Sequence, residues 1–235
     1  MQFVLHHVAT KSLRLALGVA VLLGGCATLR PRDDAYLQRV ELLALLQTLN
    51  ADLLSHDSAT LTLERWCKDH HLAGDIPDDK VHIVARRVHD GDKSIPDELR
   101  ARLAVGTDEP IRYRHVQLVC GERVLSEADN WYVSGRLTPE MNQKLDTTDE
   151  PFGKVVKSLG FQRRTISAEL LWSPLPKGWE MSPANPSPGT AHAQQIPEAV
   201  LRHVAVLSTG TQMPFSVVVE TYTRQLFEFR RLQHD

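Results

Sequence analysis

Three charged side chains stand where β-strands would place them beside a small ligand. Arg112 and Arg114 alternate along the segment RYRHVQLVC, and Glu220 follows the apolar run FSVVV. Residues two apart on a strand share a face, and a guanidinium can grip a carboxylate through two parallel hydrogen bonds. A glutamate on a buried strand is costly unless it is paired or functional, and burial favours its protonated form, which suits acid/base work. The pattern indicates a carboxylate site; the alternative is a pair of solvated arginines and an exposed glutamate on an edge strand.

Other chemistries lack their sequence signals. No GxSxG, P-loop or GxGxxG motif occurs, which argues against hydrolase, nucleoside-triphosphatase and dinucleotide-binding functions. The eleven histidines form no good metal set, so we expect no metal site. The formal charge is −2, and no Lys/Arg run, zinc-finger motif or RNP motif indicates nucleic-acid binding.

The first 26 residues predict a bacterial lipoprotein signal peptide. Lys11 and Arg14 precede the apolar run LALGVAVLLGG, whose eleven residues are too few to span a bilayer. The ending LGGC resembles a lipobox, in which the thiol of Cys26 takes the diacylglycerol; the alternative is a plain signal peptide with a chance cysteine. Ala27, rather than an aspartate, follows Cys26, which favours the outer membrane. We therefore expect a periplasm-facing protein anchored in the cell envelope by its lipid.

The rest of the chain predicts a tether over residues 27–35 and one domain over residues 36–235. With 42% hydrophobic residues, a domain of this length can bury a substantial core. Within it, residues 182–195 (SPANPSPGTAHAQQ) are rich in Pro, Ser and Ala and predict an exposed, flexible loop.

The two remaining cysteines allow two interpretations. An oxidising periplasm permits a disulfide between Cys67 and Cys120. However, Cys67 falls in a predicted helix and Cys120 at a predicted strand end, and neither belongs to a CxxC pair. We favour two separate buried thiols.

The hydrophobic periodicity predicts an α+β domain with a mostly antiparallel sheet. The predicted helices are AYLQRVELLALLQTLNADLLS, TLTLERWCKDHHLA, IPDELRARLAV, LTPEMNQKLD and EPFGKVVKSLG. The predicted strands are KVHIVARRVH, RRTISAELLW, and two hairpins that contain RYRHVQLVC with RVLSEADNWYVS and RHVAVLS with PFSVVVETYT. Gly121 and Glu122 predict the tight turn of the first hairpin, and Thr138 predicts the N-cap of the helix that opens with Pro139.

The two hairpins predict an internal duplication. RHVQLVCG begins at Arg114 and RHVAVLSTG begins at Arg202, and each follows a predicted helix that begins IPDE or IPEA. If the second turn is two residues longer, Ser126 aligns with Ser216, Tyr132 with Tyr222, and Asn130 with Glu220. Two such halves are expected to be related by a pseudo-twofold axis; the alternative is chance similarity between β-rich segments.

Paired hairpins in an antiparallel sheet with flanking helices resemble the chorismate lyase fold. Two families share that fold: chorismate pyruvate-lyase of ubiquinone biosynthesis and the effector-binding domain of GntR-type (HutC-like) transcription regulators. LLSHDSATLTLERWCKDH and TTDEPFGKVV are similar to segments of the lyase, whereas IPDELRARLAVGTDEPIRYRHVQL and VETYTRQLFEF are similar to the regulator domain. The resemblance covers residues 36–230, and its motifs are short and degenerate.

The resemblance to the lyase implies substrate-binding positions at Arg114, Arg112 and Asn130 and a catalytic position at Glu220. It implies that Arg114 holds a carboxylate of chorismate, with Arg112 as a second candidate, and that Glu220 stands beside the substrate as the catalytic group. No metal or cofactor is needed for that reaction. The chain departs from the lyase at Asn130, where a second cation is expected, and in the six residues from Pro214 to Glu220, where five are expected. A slip of one residue would turn Glu220 to the other face of the sheet unless a bulge absorbs it.

These observations lead to two main hypotheses. The first is a chorismate lyase-like enzyme that cleaves chorismate to 4-hydroxybenzoate and pyruvate. Export is its main difficulty, because chorismate is made in the cytosol. The alternative is a non-catalytic envelope lipoprotein that binds a small aromatic or carboxylate ligand, or one whose pocket is filled and purely structural. The two are separated by whether Arg114 and Glu220 face the same side of the sheet.

Overall fold

The computed structural model describes residues 31–106, 108–181 and 195–230. The predicted signal peptide with Cys26, and all but the last residue of the predicted loop at 182–195, lie outside these ranges. The chain divides into two compact units, residues 1–38 and 39–235. In the first unit, the described residues 31–38 are helical. This helix overlaps the last residues of the tether that was predicted over residues 27–35. All remaining described elements lie wholly or partly in the second unit.

The described residues form five α-helices and six β-strands. The helices are α1 (Pro31–Ser55), α2 (Ala59–Asp69), α3 (Asp97–Leu103), α4 (Pro139–Thr147) and α5 (Phe152–Val155). The strands are β1 (Val84–Arg87), β2 (Ile111–Cys120), β3 (Arg123–Val133), β4 (Gln162–Leu170), β5 (Ala199–Ser208) and β6 (Pro214–Thr223). A 3₁₀ helix (Arg224–Arg230) follows β6. None of the helices in these ranges is long and apolar enough to cross a membrane.

Local sequence signals set several element ends. The hydroxyl of Ser58 accepts a hydrogen bond from the Leu61 amide at the start of α2. Thr138 caps α4 in the same way, as predicted, with Pro139 as the first helical residue; such caps contribute about 1 kcal/mol each. Gly121 turns the first hairpin at φ +57°, and a Cβ there would lie 3.1 Å from the Ala73 carbonyl oxygen, so only glycine suits this turn.

All six strands form one open antiparallel sheet in the order β1-β2-β3-β6-β5-β4. The main core lies on the face that α1, α2, α4 and α5 cover, with Leu49, Leu63, Leu145 and Phe215 fully or almost fully buried. A smaller cluster around Leu103 of α3 and Val217 covers part of the opposite face. This α+β architecture is the predicted fold class and is consistent with the chorismate lyase-like fold.

The strand order confirms the internal duplication. Reading outward from the centre, β3, β2 and β1 on one side match β6, β5 and β4 on the other. Ser126 pairs with Tyr222 and Tyr132 pairs with Ser216, which is the pairing that a twofold axis between β3 and β6 produces for residues 90 positions apart. The predicted equivalence of Asn130 with Glu220 therefore holds.

The predicted alignment of the outer strands was wrong by one residue. Asn130 pairs with Arg114, whereas Glu220 pairs with His203, so His203 rather than Arg202 is the counterpart of Arg114. The difference arises because the second turn is one residue longer than the first, not two: Leu118 pairs with Ser126, eight residues on, whereas its counterpart Leu207 pairs with Ser216, nine residues on. Arg202 is therefore on the opposite face of β5 from His203 and is exposed.

Two further predictions were wrong. No helix begins at the IPEA segment, because residues from Ala199 onward enter the sheet and pair with β6 from Thr223. The thiols of Cys67 and Cys120 are not separate but form a disulfide between α2 and the end of β2. Helix α2 packs directly on this strand end, a tertiary contact that the separation of 53 residues did not indicate.

Candidate ligand cavity

A small cavity lies between the main-core face of the sheet and the helical layer. Its floor comes from the central strands, and its cover comes from the α1–α2 connection, the start of α5 and Phe161. The space open to the centres of water molecules is about 50 Å³, several times the roughly 10–15 Å³ that one water requires. The polar lining residues are Asp57, Ser58, Thr60, Arg114, Asn130, Arg163, Ser216 and Glu220.

Arg114 is a buried cation without a carboxylate partner. Its side chain projects from β2 into the cavity, and the residue is 3% exposed. Nη2 donates to the carbonyl oxygens of Thr148 and Glu150 at 3.4 and 3.2 Å. Nε and Nη1 are buried and have no hydrogen-bond partner, and no ion pair within the described residues includes Arg114. Burial, together with the charge of Arg87, lowers the pKa of Arg114 to about 10.

Glu220 lines the same cavity from β6, and its carboxylate is already paired. Arg163 of β4 donates from Nη2 to Oε2 of Glu220 at 2.7 Å, and the Tyr222 hydroxyl donates to the same oxygen at 3.1 Å. The side chains of Arg163 and Glu220 are 4% and 7% exposed. The two side chains form a buried ion pair in which the guanidinium of Arg163 would otherwise be a second buried charge without a partner. The charge of Glu220 raises the pKa of Arg163 against the effect of burial.

Glu220 faces the cavity despite its unexpected spacing from Pro214. Glu220 and Arg114 face the same side of the sheet and line one cavity. The extra residue between Pro214 and Glu220 therefore does not turn the carboxylate away from the cavity. The register of β5 against β6 shifts between Leu207 and Ser208, opposite the start of β6, and this irregularity absorbs the extra residue. The alternative of an exposed glutamate on an edge strand was wrong, because β6 is a central strand.

Asn130 occupies the position equivalent to Glu220 and also lines the cavity. The Ser216 hydroxyl donates to its Oδ1 at 2.6 Å, and both residues are buried. The two halves of the duplicated sheet thus present a neutral amide on one side and a carboxylate on the other. Asn130 supplies no second cation, as the sequence indicated.

Arg163 is a buried charged residue of the cavity that the sequence did not predict. It supplies a second cation from β4, which is the edge strand at the opposite side of the sheet from β1. Its Nε is buried without a partner, like two of the nitrogens of Arg114. The segment RRTISAEL shows no alternation that would select Arg163 over Arg164 as the inward side chain. A register irregularity between Thr165 and Ser167 explains why: the alternation of β4 is interrupted.

Arg112, the second arginine predicted for ligand binding, lies outside the cavity. It shares a strand face with Arg114, but its guanidinium forms an ion pair with Asp146 of α4 at 2.9 Å and is 42% exposed. Arg112 instead lines an open groove at the end of the first hairpin, with Arg87 and Tyr132. The pairing with Asp146 raises its pKa.

His203 of β5 is the residue paired with Glu220 of β6 in the sheet. It is fully buried, and its Nε2 is 2.9 Å from Oδ1 of Asn50 in α1. Since a carbonyl oxygen only accepts, Nε2 carries the proton and the buried Nδ1 is left without a partner. Burial, and then the charge of Arg163, lower the pKa of His203 to about 4. The imidazole is therefore neutral at physiological pH.

The cavity combines a free cationic end with apolar walls. Val116, Leu118, Val218 and Leu207 project from the sheet, and the rings of Phe152 and Phe161 close the opposite side. A flat apolar ligand with a carboxylate would bury its ring against these walls and place its charge on Arg114. Within the described ranges, no group of three or more His, Cys, Asp or Glu side chains is placed to hold a metal ion.

Fold and cavity together define an α+β domain, consistent with the chorismate lyase-like fold, with a small cavity under its helical layer. The chain belongs to the same family as a protein of Sinorhizobium fredii described as uncharacterized protein y4mC, which is 54% identical over 193 residues, covering 82% of this chain and 79% of that protein. No protein-family model matches the chain.

Several solved structures are similar to this one at low sequence identity. PhnF from Mycobacterium smegmatis is 14% identical with a TM-score of 0.45, over 73% of this chain and 65% of that one, so the chain spans slightly less than two thirds of its length. The effector domain of PhnF is 12% identical with a TM-score of 0.41, over 62% of this chain and 83% of that one. A GntR-family transcriptional regulator from Enterococcus faecalis is 13% identical with a TM-score of 0.39, over 61% of this chain and 96% of that one.

Proposed function

We propose that this protein binds a small aromatic carboxylate in the cavity and that Arg114 holds the carboxylate. The single observation that carries the proposal is the pair of buried Arg114 nitrogens, Nε and Nη1, that have no partner. A buried guanidinium without an anion is costly, and each of the two unpartnered nitrogens can donate a charge-assisted hydrogen bond to a carboxylate oxygen. A bound carboxylate would neutralise the charge and satisfy at least one of these donors.

The test is a thermal-shift titration of the full chain with benzoate and 4-hydroxybenzoate. At 100 times the dissociation constant, a ligand that binds only the folded state adds about 2.7 kcal/mol of stability, which raises the melting temperature by several degrees. Arg114→Met should abolish this shift. Arg112→Met is the matched control, because it removes the same group from the same strand face outside the cavity; it should leave the shift intact. A shift that survives in Arg114→Met would refute the proposal.

Chorismate cleavage is the second candidate function, and one observation favours it. Arg114 and Glu220 line the same cavity, as a lyase that holds a carboxylate and places a base or acid near the ring requires. The bonds from Arg163 and Tyr222 both engage Oε2 of Glu220, so Oε1 is the oxygen left to exchange a proton with the substrate. The test is to incubate the full chain with chorismate and measure 4-hydroxybenzoate and pyruvate together. Product from the parent and none from Glu220→Gln would establish the lyase; absence of product from the parent would exclude it.

We further propose that the lipid on Cys26 anchors the domain in the cell envelope, facing the periplasm and at the outer membrane. The apolar run before Cys26, the LGGC ending and Ala27 support this location. The disulfide between Cys67 and Cys120 supports it independently, because such bonds persist in oxidising compartments. Metabolic labelling with a radioactive fatty acid should mark the parent and leave Cys26→Ser unlabelled. Equal labelling of both would contradict the anchor.

A further inference from the structure

The charges around the cavity limit the charge of its ligand. Three buried charged side chains line it: Arg114, Arg163 and Glu220. The ion pair between Arg163 and Glu220 is neutral as a unit, so the buried lining carries one uncompensated positive charge, that of Arg114. Asp57 also lines the cavity but is exposed at its mouth, where water screens its charge. One bound negative charge balances the lining; a second would be buried without a partner.

The ion pair also gives the cavity a hydrogen-bond acceptor. The bonds from Arg163 and Tyr222 both end on Oε2 of Glu220, which leaves Oε1 for a donor on the ligand. Asn130 is equivalent to Glu220 across the pseudo-twofold axis, and its Oδ1 already accepts from Ser216. Glu220 is therefore the buried lining residue with a carboxylate oxygen to offer, and a neutral hydroxyl is the donor that adds no charge.

Resting on the proposed function, we infer that Arg163 sets the ligand specificity: by neutralising Glu220 from the edge strand, it makes the cavity select a monoanion that carries a neutral hydrogen-bond donor away from its carboxylate. Arg163 acts through Glu220 and is in this sense a positioning residue. A dianion such as a dicarboxylate is excluded because its second charge would face the Glu220 carboxylate. A carboxylate without a donor is accepted but held less tightly.

A ligand series measured by isothermal titration tests this inference on the full chain. The probes are benzoate, 4-hydroxybenzoate, 4-fluorobenzoate, which has nearly the same shape but no donor, and terephthalate, which carries two negative charges. The parent should bind 4-hydroxybenzoate at least about tenfold more tightly than 4-fluorobenzoate, since hydrogen bonds to charged groups contribute about 1.5–3 kcal/mol. Terephthalate should bind more weakly than benzoate.

Two variants separate the charge effect from a loss of structure. Glu220→Gln keeps the side-chain shape and leaves Arg163 unpaired, so the lining carries two positive charges; the order should invert, with terephthalate gaining at least about tenfold over 4-hydroxybenzoate. Adding Arg163→Met to Glu220→Gln removes the extra charge and should restore the preference for monoanions, while the advantage of the 4-hydroxyl stays lost. Glu169→Gln is the matched control, because this glutamate of β4 is 62% exposed and forms only a long ion pair with Arg202, at 3.9 Å. This variant should leave the order of affinities unchanged.

The outcomes distinguish this inference from the proposed function. If benzoates bind and need Arg114, but terephthalate binds the parent as tightly as 4-hydroxybenzoate does, the inference is overturned and the proposed function stands. The inference is overturned in the same way if Glu220→Gln does not change the order of affinities. If none of the four probes binds the parent, both fail together.

Discussion

Replacing Arg114 by methionine should make the ligand-free protein more stable, although most changes at buried positions destabilise proteins. Burial lowers the pKa of Arg114 from the ordinary value of a guanidinium to about 10. At about 1.4 kcal/mol for each pH unit, this corresponds to a cost of about 3 kcal/mol for keeping the charge in the cavity. Methionine has a similar length, fills the space and carries no charge.

The loss of two hydrogen bonds offsets part of this gain. The carbonyl oxygens of Thr148 and Glu150 would lose the donor Nη2 of Arg114. At about 1 kcal/mol for each of these long bonds, the net effect is a gain of about 1 kcal/mol in the free energy of unfolding. In the presence of saturating 4-hydroxybenzoate the order should reverse, because only the parent gains the binding energy.

Urea unfolding followed by tryptophan fluorescence, with and without ligand, measures both effects. Arg112→Met is the control, and its exposed pair with Asp146 predicts a change of less than about 1 kcal/mol. A ligand-free Arg114→Met protein that is less stable than the parent by about 2 kcal/mol or more would refute the reasoning, since a loss of that size would mean that Arg114 is satisfied without a ligand.

Three more predictions concern the groups around the cavity. Reducing the disulfide between Cys67 and Cys120, which closes a loop of 53 residues, should lower the free energy of unfolding by up to about 4 kcal/mol. Urea titrations with and without dithiothreitol measure this loss. If the reductant also destabilises the Cys67→Ser/Cys120→Ser variant, the loss has another cause. His203 has a folded-state pKa of about 4, below its value of 6.5 when exposed, so the unfolded state takes up this proton first as the pH falls. Stability should therefore be lost progressively from about pH 6.5 to pH 4, by about 3 kcal/mol in total. Urea unfolding across this pH range should show a shallower loss of stability in His203→Gln than in the parent. An equally steep loss in the variant would exclude His203 as the cause. Arg163→Met should cost about 3–5 kcal/mol, because it leaves Glu220 buried and unpaired, and Glu220→Gln in the same chain should recover most of that loss; additive losses in calorimetry would contradict the pairing.

Sequence patterns predicted the architecture well because the two hairpins repeat a strong signal. Alternating apolar residues specify each hairpin locally, with a Gly-Glu turn in the first, and the similarity between Ser126–Tyr132 and Ser216–Tyr222 indicated how the halves pair. The failures occurred where tertiary structure decides. The IPEA segment has helical propensity, but β6 and β4 offer its following residues a place in the sheet.

The site was predicted in part for a related reason. Arg114 and Glu220 lie on strands with regular alternation, so their residue types and neighbours indicated an inward position. Arg163 lies on an edge strand whose register is interrupted, and no local pattern reveals that its side chain crosses β5 to reach Glu220. Similarly, the disulfide depends on how α2 packs against β2, which spacing in the sequence does not encode.

The most direct test of ligand binding in the cavity is a crystal structure of the full chain with 4-hydroxybenzoate. We expect the ligand to lie between the sheet and Phe152, with a carboxylate oxygen about 2.9 Å from Nη1 or Nε of Arg114 and its hydroxyl on Glu220. A ligand bound elsewhere, or an empty cavity in crystals with saturating ligand, would contradict it.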